Sequence, residues 1–149
     1  MNDILFSSAS VEWETPQDVF DELNAEFHFS LDAAATEENA KCERYYTKAE
    51  DGLKMPWGGV VWCNPPYGRE IGLWVQKAYE SAHENAETVV MLVPARTDTR
   101  WFHDYVLHRA EIRFIAGRLK FGNSKNSAPF PSMIVIFRGA GAQKTTPKG

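Results

Sequence analysis

A four-residue apolar run, Val60-Val61-Trp62-Cys63, stops abruptly at Asn64-Pro65-Pro66-Tyr67. A run so short and so apolar reads as a buried strand. Proline donates nothing to a strand ladder, so two in succession make the tetrapeptide a rigid loop at the strand's C-terminal end. A second apolar run, residues 88–93, is ended by Pro94. Between the two, Ile71, Trp74, Val75, Ala78 and Tyr79 recur at helical spacing, which predicts a helix over 70–84 with Trp74 and Tyr79 in the core. Strand, helix and strand in that order argue a parallel α/β sheet.

The remaining elements fit around this unit. Thr15-Pro16-Gln17-Asp18 reads as a helix start, with Thr15 capping, Pro16 at the first helical position and Asp18 where a capping box wants an acid. Phe27, Phe29 and Leu31 alternate, predicting a strand over 27–31 that ends at Asp32. Thr36 with Glu37 and Glu38 opens a further short helix, and Asp51-Gly52 marks a turn. A helix over about 98–108 carries Trp101, Phe102, Tyr105 and Val106. Strands at 112–116 and 133–137 follow, separated by a long loop, 117–131, of the kind that often carries function. The expectation is a loose leader over 1–10, one domain over 11–138 and a disordered tail over 139–149.

Composition removes several classes. The hydrophobic share is 44% and the charged share 24%, which excludes wholesale disorder. No apolar run approaches the ~20 residues of a membrane helix, and the N-terminus lacks the pattern of a signal peptide. Cys42 and Cys63 are too few and too far apart for a metal knuckle or a redox pair, composition excludes a disulfide scaffold, and a reducing cytoplasm is the default compartment. The four histidines show no metal-ligand spacing. Charge is split along the chain. Residues 1–95 hold six Lys/Arg against seventeen Asp/Glu, whereas residues 96–149 hold ten against three. A basic C-terminal half on an acidic chain suits a nucleic-acid face, although a solvated basic tail gives the same count.

In an open α/β sheet, ligands bind beyond the C-terminal strand ends. Those ends carry Asp32, then Asn64 to Tyr67, then Pro94-Ala95-Arg96. Asn64 offers a carbonyl acceptor, and the peptide at Pro65 presents only carbonyl oxygen. Proline holds these acceptors in one arrangement, and Tyr67 adds a flat ring. The set suits a planar group bearing NH2, either a nucleobase amine or a carboxamide. Accepting two hydrogen bonds from such a nitrogen favours a more tetrahedral geometry and frees its lone pair to attack an electrophile.

The wider order of motifs is Trp13-Glu14-Thr15-Pro16, Leu31-Asp32-Ala33-Ala34, Asp51-Gly52-Leu53, Trp62 to Gly68, Leu92 to Thr97 and Gly117 to Phe121. In this order they resemble the phage-type DNA N6-adenine methyltransferase (Dam) family over about residues 13–138. The resemblance implies a Rossmann-like class I methyltransferase fold: a mainly parallel central sheet, helices on both faces and a C-terminal antiparallel hairpin. It implies methyl transfer from S-adenosylmethionine to adenine N6 in double-stranded DNA, without a metal, in the host cytoplasm if the chain is phage-encoded. By the same resemblance Asn64, Pro65, Pro66 and Tyr67 are catalytic, Asn64 and the Pro65 carbonyl accepting from N6 and Tyr67 stacking on the base. Trp13, Thr15, Pro16, Asp32, Ala33, Ala34, Asp51 and Asn64 are the implied cofactor residues.

The chain departs from the family where a glycine-rich turn is usual. Ala33-Ala34-Ala35 stands there, and alanine does not take positive φ cheaply. The stretch from Asp32 to Asp51 is also too short for the extra strand–helix unit of larger methyltransferases. Each candidate has a structural role open to it as well: Asp32 as a helix cap, Asp51 as a plain Asp-Gly turn, Thr15 as a cap, Trp13 as core or lid. Arg96, Arg100, Arg118, Lys120 and Lys125 form the basic group expected against DNA phosphates, with Phe121 and Phe130 beside the target strand. RNA adenine or protein glutamine could meet the same acceptors, and a nucleic-acid-binding module without catalysis is the alternative of another class. A short recognition site such as GATC is suggested by the family alone.

Overall fold

The computed structural model describes residues 13–139. The leader expected over 1–10 and, Gly139 apart, the tail over 139–149 lie outside the described residues. Five strands form one sheet: β1 (Leu31–Asp32), β2 (Gly59–Cys63), β3 (Ala86–Pro94), β4 (Glu111–Phe114) and β5 (Ser132–Arg138), in the spatial order β1-β2-β3-β5-β4. The first three are parallel to one another, and β5 runs antiparallel between β3 and β4. Every residue of β3 except Glu87 is buried. That is the pattern of a central strand covered on both faces, and it explains why the sequence shows no alternation there.

The covers are α1 (Gln17–Phe27) and α2 (Ile71–Glu84). Phe20 of α1 meets the Trp62 ring edge-on, centroids 5.5 Å apart. Tyr79 of α2 meets Phe137, which pairs in register with Val89, itself the partner of Val61. Val61 and Trp62 are consecutive and point to opposite faces, so the two helices lie on opposite sides of the sheet. Leu31, Trp57, Val61, Val75, Met91 and Ile136 are among the side chains fully buried between them.

Several sequence expectations are corrected. The strand expected over 27–31 is only Leu31–Asp32. Phe27 closes α1, His28 turns left-handed at φ 59°, and Phe27 and Phe29 then stack at 5.8 Å. Asn24 holds this turn through its backbone and side-chain oxygens, accepting from the N–H groups of His28 and Phe29. Apolar alternation here comes from a helix stop rather than from a pleat. The helix expected after Thr36 is a turn in which Thr36 and Asn39 bond reciprocally, each side-chain oxygen accepting the other's N–H. The helix expected over 98–108 is replaced by a short π-helical segment, Phe102–Val106, closed by the Leu107 N–H on the Phe102 carbonyl. Thr15 does not cap α1. The helix starts at Gln17 with Pro16 outside it and no side-chain cap, because the Thr15 hydroxyl is bonded elsewhere.

Register also places the loops. β1 ends at Asp32, β2 at Cys63 and β3 at Pro94, all on one edge of the sheet. Because β5 is reversed, its start, Ser132, lies opposite Pro94, and Phe114 at the end of β4 lies opposite Met133. The 115–131 connection therefore leaves from and returns to the edge where the first three strands end.

Candidate functional site

Beyond the ends of β1 and β2 lies a cleft of about 360 Å³. Its walls are residues 13–15, the turn 32–36, the stretch between Tyr46 and Gly52, Asn64 and Pro66, and Glu70 with Trp74 from α2. The structure thus brings Trp13, Thr15, Asp32, Ala33, Ala34, Asp51, Asn64 and Pro66 to one cavity. Pro16, Pro65 and Tyr67 do not line it, and Pro16, Pro65 and Tyr67 are all buried.

Asn64 is the most informative side chain. Its Nδ2 donates to the Trp13 carbonyl and to the Thr15 hydroxyl, the latter at 3.0 Å. A carbonyl can only accept, so the nitrogen end of the amide must face residues 13–15. That leaves Oδ1 on the other side, buried and without a hydrogen-bond partner. An unsatisfied buried acceptor costs on the order of 1–3 kcal/mol, so one held in place at a cleft points to a donor it is built to receive.

Asp32 is 3% exposed at the end of β1. One carboxylate oxygen accepts the Lys41 N–H at 3.0 Å and the other the Ala34 N–H at 3.3 Å. Burial raises its carboxyl to about 6, against which these two backbone donors pull. The same carboxylate answers the question of the missing glycines. The turn after β1 is held by the Asp32 side chain, and none of Ala33, Ala34 and Ala35 takes a positive φ. Ala33 is fixed to Trp62 and Ala35 to Tyr46 through backbone bonds, so alanine suffices where another path would need glycine.

Asp51 sits at φ 64° and accepts the Leu53 N–H, capping the one-turn 3-10 helix Gly52–Lys54. It fills the turn role and lines the cleft at once. Gly52 beside it is enclosed. A Cβ there would lie 2.3 Å from the Ala33 carbonyl and 3.0 Å from the Trp74 ring. Trp57 Nε1 donates to the Gly52 carbonyl at 2.8 Å, locking the turn to the core. Trp74 is 6% exposed, as a core residue should be, yet it lines the cleft and its Nε1 has no partner. Helical periodicity identified Trp74 as core and could not show that its donor is left open. Glu70, Tyr46 and Thr47 also line the cleft and carried no sequence signal beyond proximity to the motifs.

Two expectations about rings are corrected. Tyr67 is 7% exposed, and its hydroxyl donates to the Leu92 carbonyl at 2.9 Å. Its ring packs against Phe121 and Phe130, and burial pushes its phenol above the ordinary value. In this structure it braces the Asn64 loop against β3 rather than presenting a face to the cleft. Phe121 is 1% exposed and Phe130 9%, so both are core members of a cluster with Tyr67 and Trp13, not nucleic-acid contacts. The charged residues near them do face solvent. Arg96, Arg100, Arg118, Lys120 and Lys125 are all exposed. Only Arg100 has an acid partner among the described residues, Asp104 at 3.5 Å. Arg118, Lys120 and Lys125 stand on the 115–131 loop, at the cleft edge of the sheet. Among the described residues no cluster of His, Cys, Asp or Glu could hold a metal, and no helix is long and apolar enough to cross a membrane.

A five-stranded α/β sheet whose parallel strand ends open on one acidic cleft, with Asn-Pro-Pro-Tyr closing β2, is a methyltransferase-like architecture. The chain belongs to the DNA N-6-adenine-methyltransferase (Dam) family, whose model matches residues 6–146. It is 40% identical over 110 residues to a DNA N-6-adenine-methyltransferase of Escherichia phage T1, covering 72% of this chain and 45% of that protein. It is 32% identical over 134 residues to a protein of the same name from Haemophilus phage HP1, covering 84% of this chain and 77% of that one. The match to the phage T1 protein thus spans less than half of that relative's length.

Proposed function

We propose that this chain transfers a methyl group from S-adenosylmethionine to the exocyclic N6 of adenine in double-stranded DNA, on a Rossmann-like class I methyltransferase fold. The observation that carries the proposal is the orphaned Oδ1 of Asn64, held at the cleft by two bonds to its own nitrogen. The names of the two phage relatives supply the base and the atom.

The cleft residues fit the cofactor. Asp32, Asp51, Glu70 and Glu14, set against Lys41 and Lys48, leave the walls with a negative balance suited to a sulfonium cation. The unpartnered Trp74 N–H, on a residue of the cleft wall, suits a ring with a polar edge. When bound, S-adenosylmethionine supplies an electrophilic methyl on sulfur. The protein's share is placement and electrostatics. Asn64 Oδ1 would accept an N6 hydrogen and draw the nitrogen lone pair out of the ring; the Pro65 carbonyl, expected as the second acceptor, belongs to a residue that does not line the cleft. Methyl transfer to N6 would leave the cofactor as a neutral thioether, and the proton lost from N6 would pass to solvent. Tyr67 keeps the Asn64 loop at fixed height through Leu92. Extruding the base from the duplex costs a few kcal/mol, which bonding and packing in the cleft must offset. The exposed cations of the 115–131 loop, with Arg96 and Arg100, hold the phosphates.

The test is methyl transfer from labelled cofactor to DNA duplexes with and without adenine, to RNA, and to a glutamine-containing protein. Label in adenine-containing duplex alone is the expected result. Label in RNA or protein only would overturn the substrate, and failure to take up cofactor in calorimetry would leave a binding module.

A further inference from the structure

Residues 13–15 form a strap gripped from two sides. From inside, Asn64 Nδ2 donates to the Trp13 carbonyl and the Thr15 hydroxyl. From outside, the residue between them is gripped by the 115–131 loop. The Gly122 N–H donates to the Glu14 carbonyl at 2.9 Å, and the Glu14 N–H donates to Asn123 Oδ1 at 3.1 Å. The Trp13 ring rests on Phe121 and Phe130 of the same loop, each 5.3 Å away. Both polar groups of the Glu14 backbone therefore belong to the basic loop, while its two neighbours belong to Asn64. Asn64 and Asn123 hold the same three residues from different sides.

We propose that Asn123 is a positioning residue for Asn64: by anchoring the strap at Glu14 it sets which end of the Asn64 amide faces the cleft, and so links the nucleic-acid loop to the acceptor. The inference rests on the proposed reading of Asn64 as that acceptor. Of the two hydrogen bonds that the 115–131 loop makes to Glu14, the one from Asn123 uses a side chain and the one from Gly122 does not, so Asn123 is the bond that substitution can reach. Loss of its oxygen frees the Glu14 N–H, lets the strap drift and leaves the Asn64 amide free to turn.

The experiment compares Asn123→Ala with Asn123→Asp, which keeps an acceptor oxygen. In methyl transfer to duplex DNA, Asn123→Ala lowers kcat about tenfold with KM for DNA within about twofold, and Asn123→Asp restores most of kcat. The side-chain NH2 signals of Asn64 in NMR, assigned by their loss in Asn64→Ala, shift and exchange faster with water in Asn123→Ala and stay in place in Asn123→Asp. Equal loss of kcat in both variants, or unmoved Asn64 signals in Asn123→Ala, would overturn the proposal. If the unaltered protein transfers no methyl to adenine, the functional reading fails by itself, and the NMR comparison still decides whether Asn123 sets the Asn64 amide.

Discussion

Asn64 donates to the Thr15 hydroxyl at 3.0 Å, and that bond, with its companion to the Trp13 carbonyl, makes the amide a one-way group. Its oxygen is the end left without a partner. A helix cap was the role the sequence offered Thr15, and the structure uses the hydroxyl to aim a different residue.

Replacing Asn64 by alanine removes the acceptor and the two Nδ2 bonds to residues 13–15, while Pro65 and Pro66 keep the loop stiff. Turnover is expected to fall on the order of 10²-fold or more, as when a preorganised polar group is lost from a reacting centre. Stability should fall by about 1–2 kcal/mol from the two lost bonds to residues 13–15, and cofactor affinity should change less than turnover. Single-turnover kinetics with calorimetry check these, and normal turnover in Asn64→Ala defeats the acceptor role.

Tyr67→Phe separates bracing from stacking. The ring survives, and the hydroxyl bond to the Leu92 carbonyl is lost. Stability should drop by about 1 kcal/mol in urea titration, from the missing hydrogen bond. Turnover should stay within about threefold of the parent, since no cleft contact is removed. A large fall in kcat at unchanged stability contradicts the bracing role.

Asp32 makes stability depend on pH in a defined direction. Its carboxyl is raised from 3.8 to about 6 by burial, so between those values the folded chain keeps a proton that the unfolded chain releases. The folded state binds more protons there, and stability contributed by this group falls as pH rises through the window, then levels off above about 6. Two pH units correspond to about 3 kcal/mol across the window. Urea denaturation from pH 3.5 to 7.5, alone and in Asp32→Asn, should show a descending limb in the parent that the variant lacks. Binding of a cation in the cleft favours the ionised form, so cofactor affinity should weaken as pH falls below about 6.

Gly52→Ala places a methyl group 2.3 Å from the Ala33 carbonyl. The clash is with backbone, which cannot step aside as a side-chain end can. A loss of about 1–3 kcal/mol is expected from overpacking, together with weaker cofactor binding because the same turn forms a cleft wall. Unchanged affinity in calorimetry would remove the turn from the cofactor site.

Charge reversal at Lys120 and Lys125 tests the basic loop. Both are exposed and have no acid partner among the described residues. DNA affinity should fall, and the slope of log affinity against log salt should flatten by about one per lysine. An unaltered slope would take the loop off the DNA.

Much of this was legible in the chain. Central strands and α2 announce themselves because burial on both faces, or a one-sided stripe, leaves a periodic mark in the sequence. What misled was apolar residues whose spacing had another cause, as at Phe27 and Phe29 across the His28 turn. Asn64 and Asp32 could be picked out because motif order places them at strand ends, and Asp51 because it opens an Asp-Gly turn. Tyr67 and Phe121 could not be oriented, since a sequence names a ring and not the side it turns to. Nor could Asn123 be found: its bond to Glu14 spans 109 positions.

The reversed strand β5 sits between β3 and β4, although it is the last of the five to be synthesised. Until it emerges from the ribosome, β4 has no neighbour to pair with. A nascent chain stopped before Ser132 can assemble the three parallel strands but must carry Glu111–Phe114 as an unpaired ribbon. Completion of the sheet, and with it the fixing of both ends of the basic loop, waits on β5.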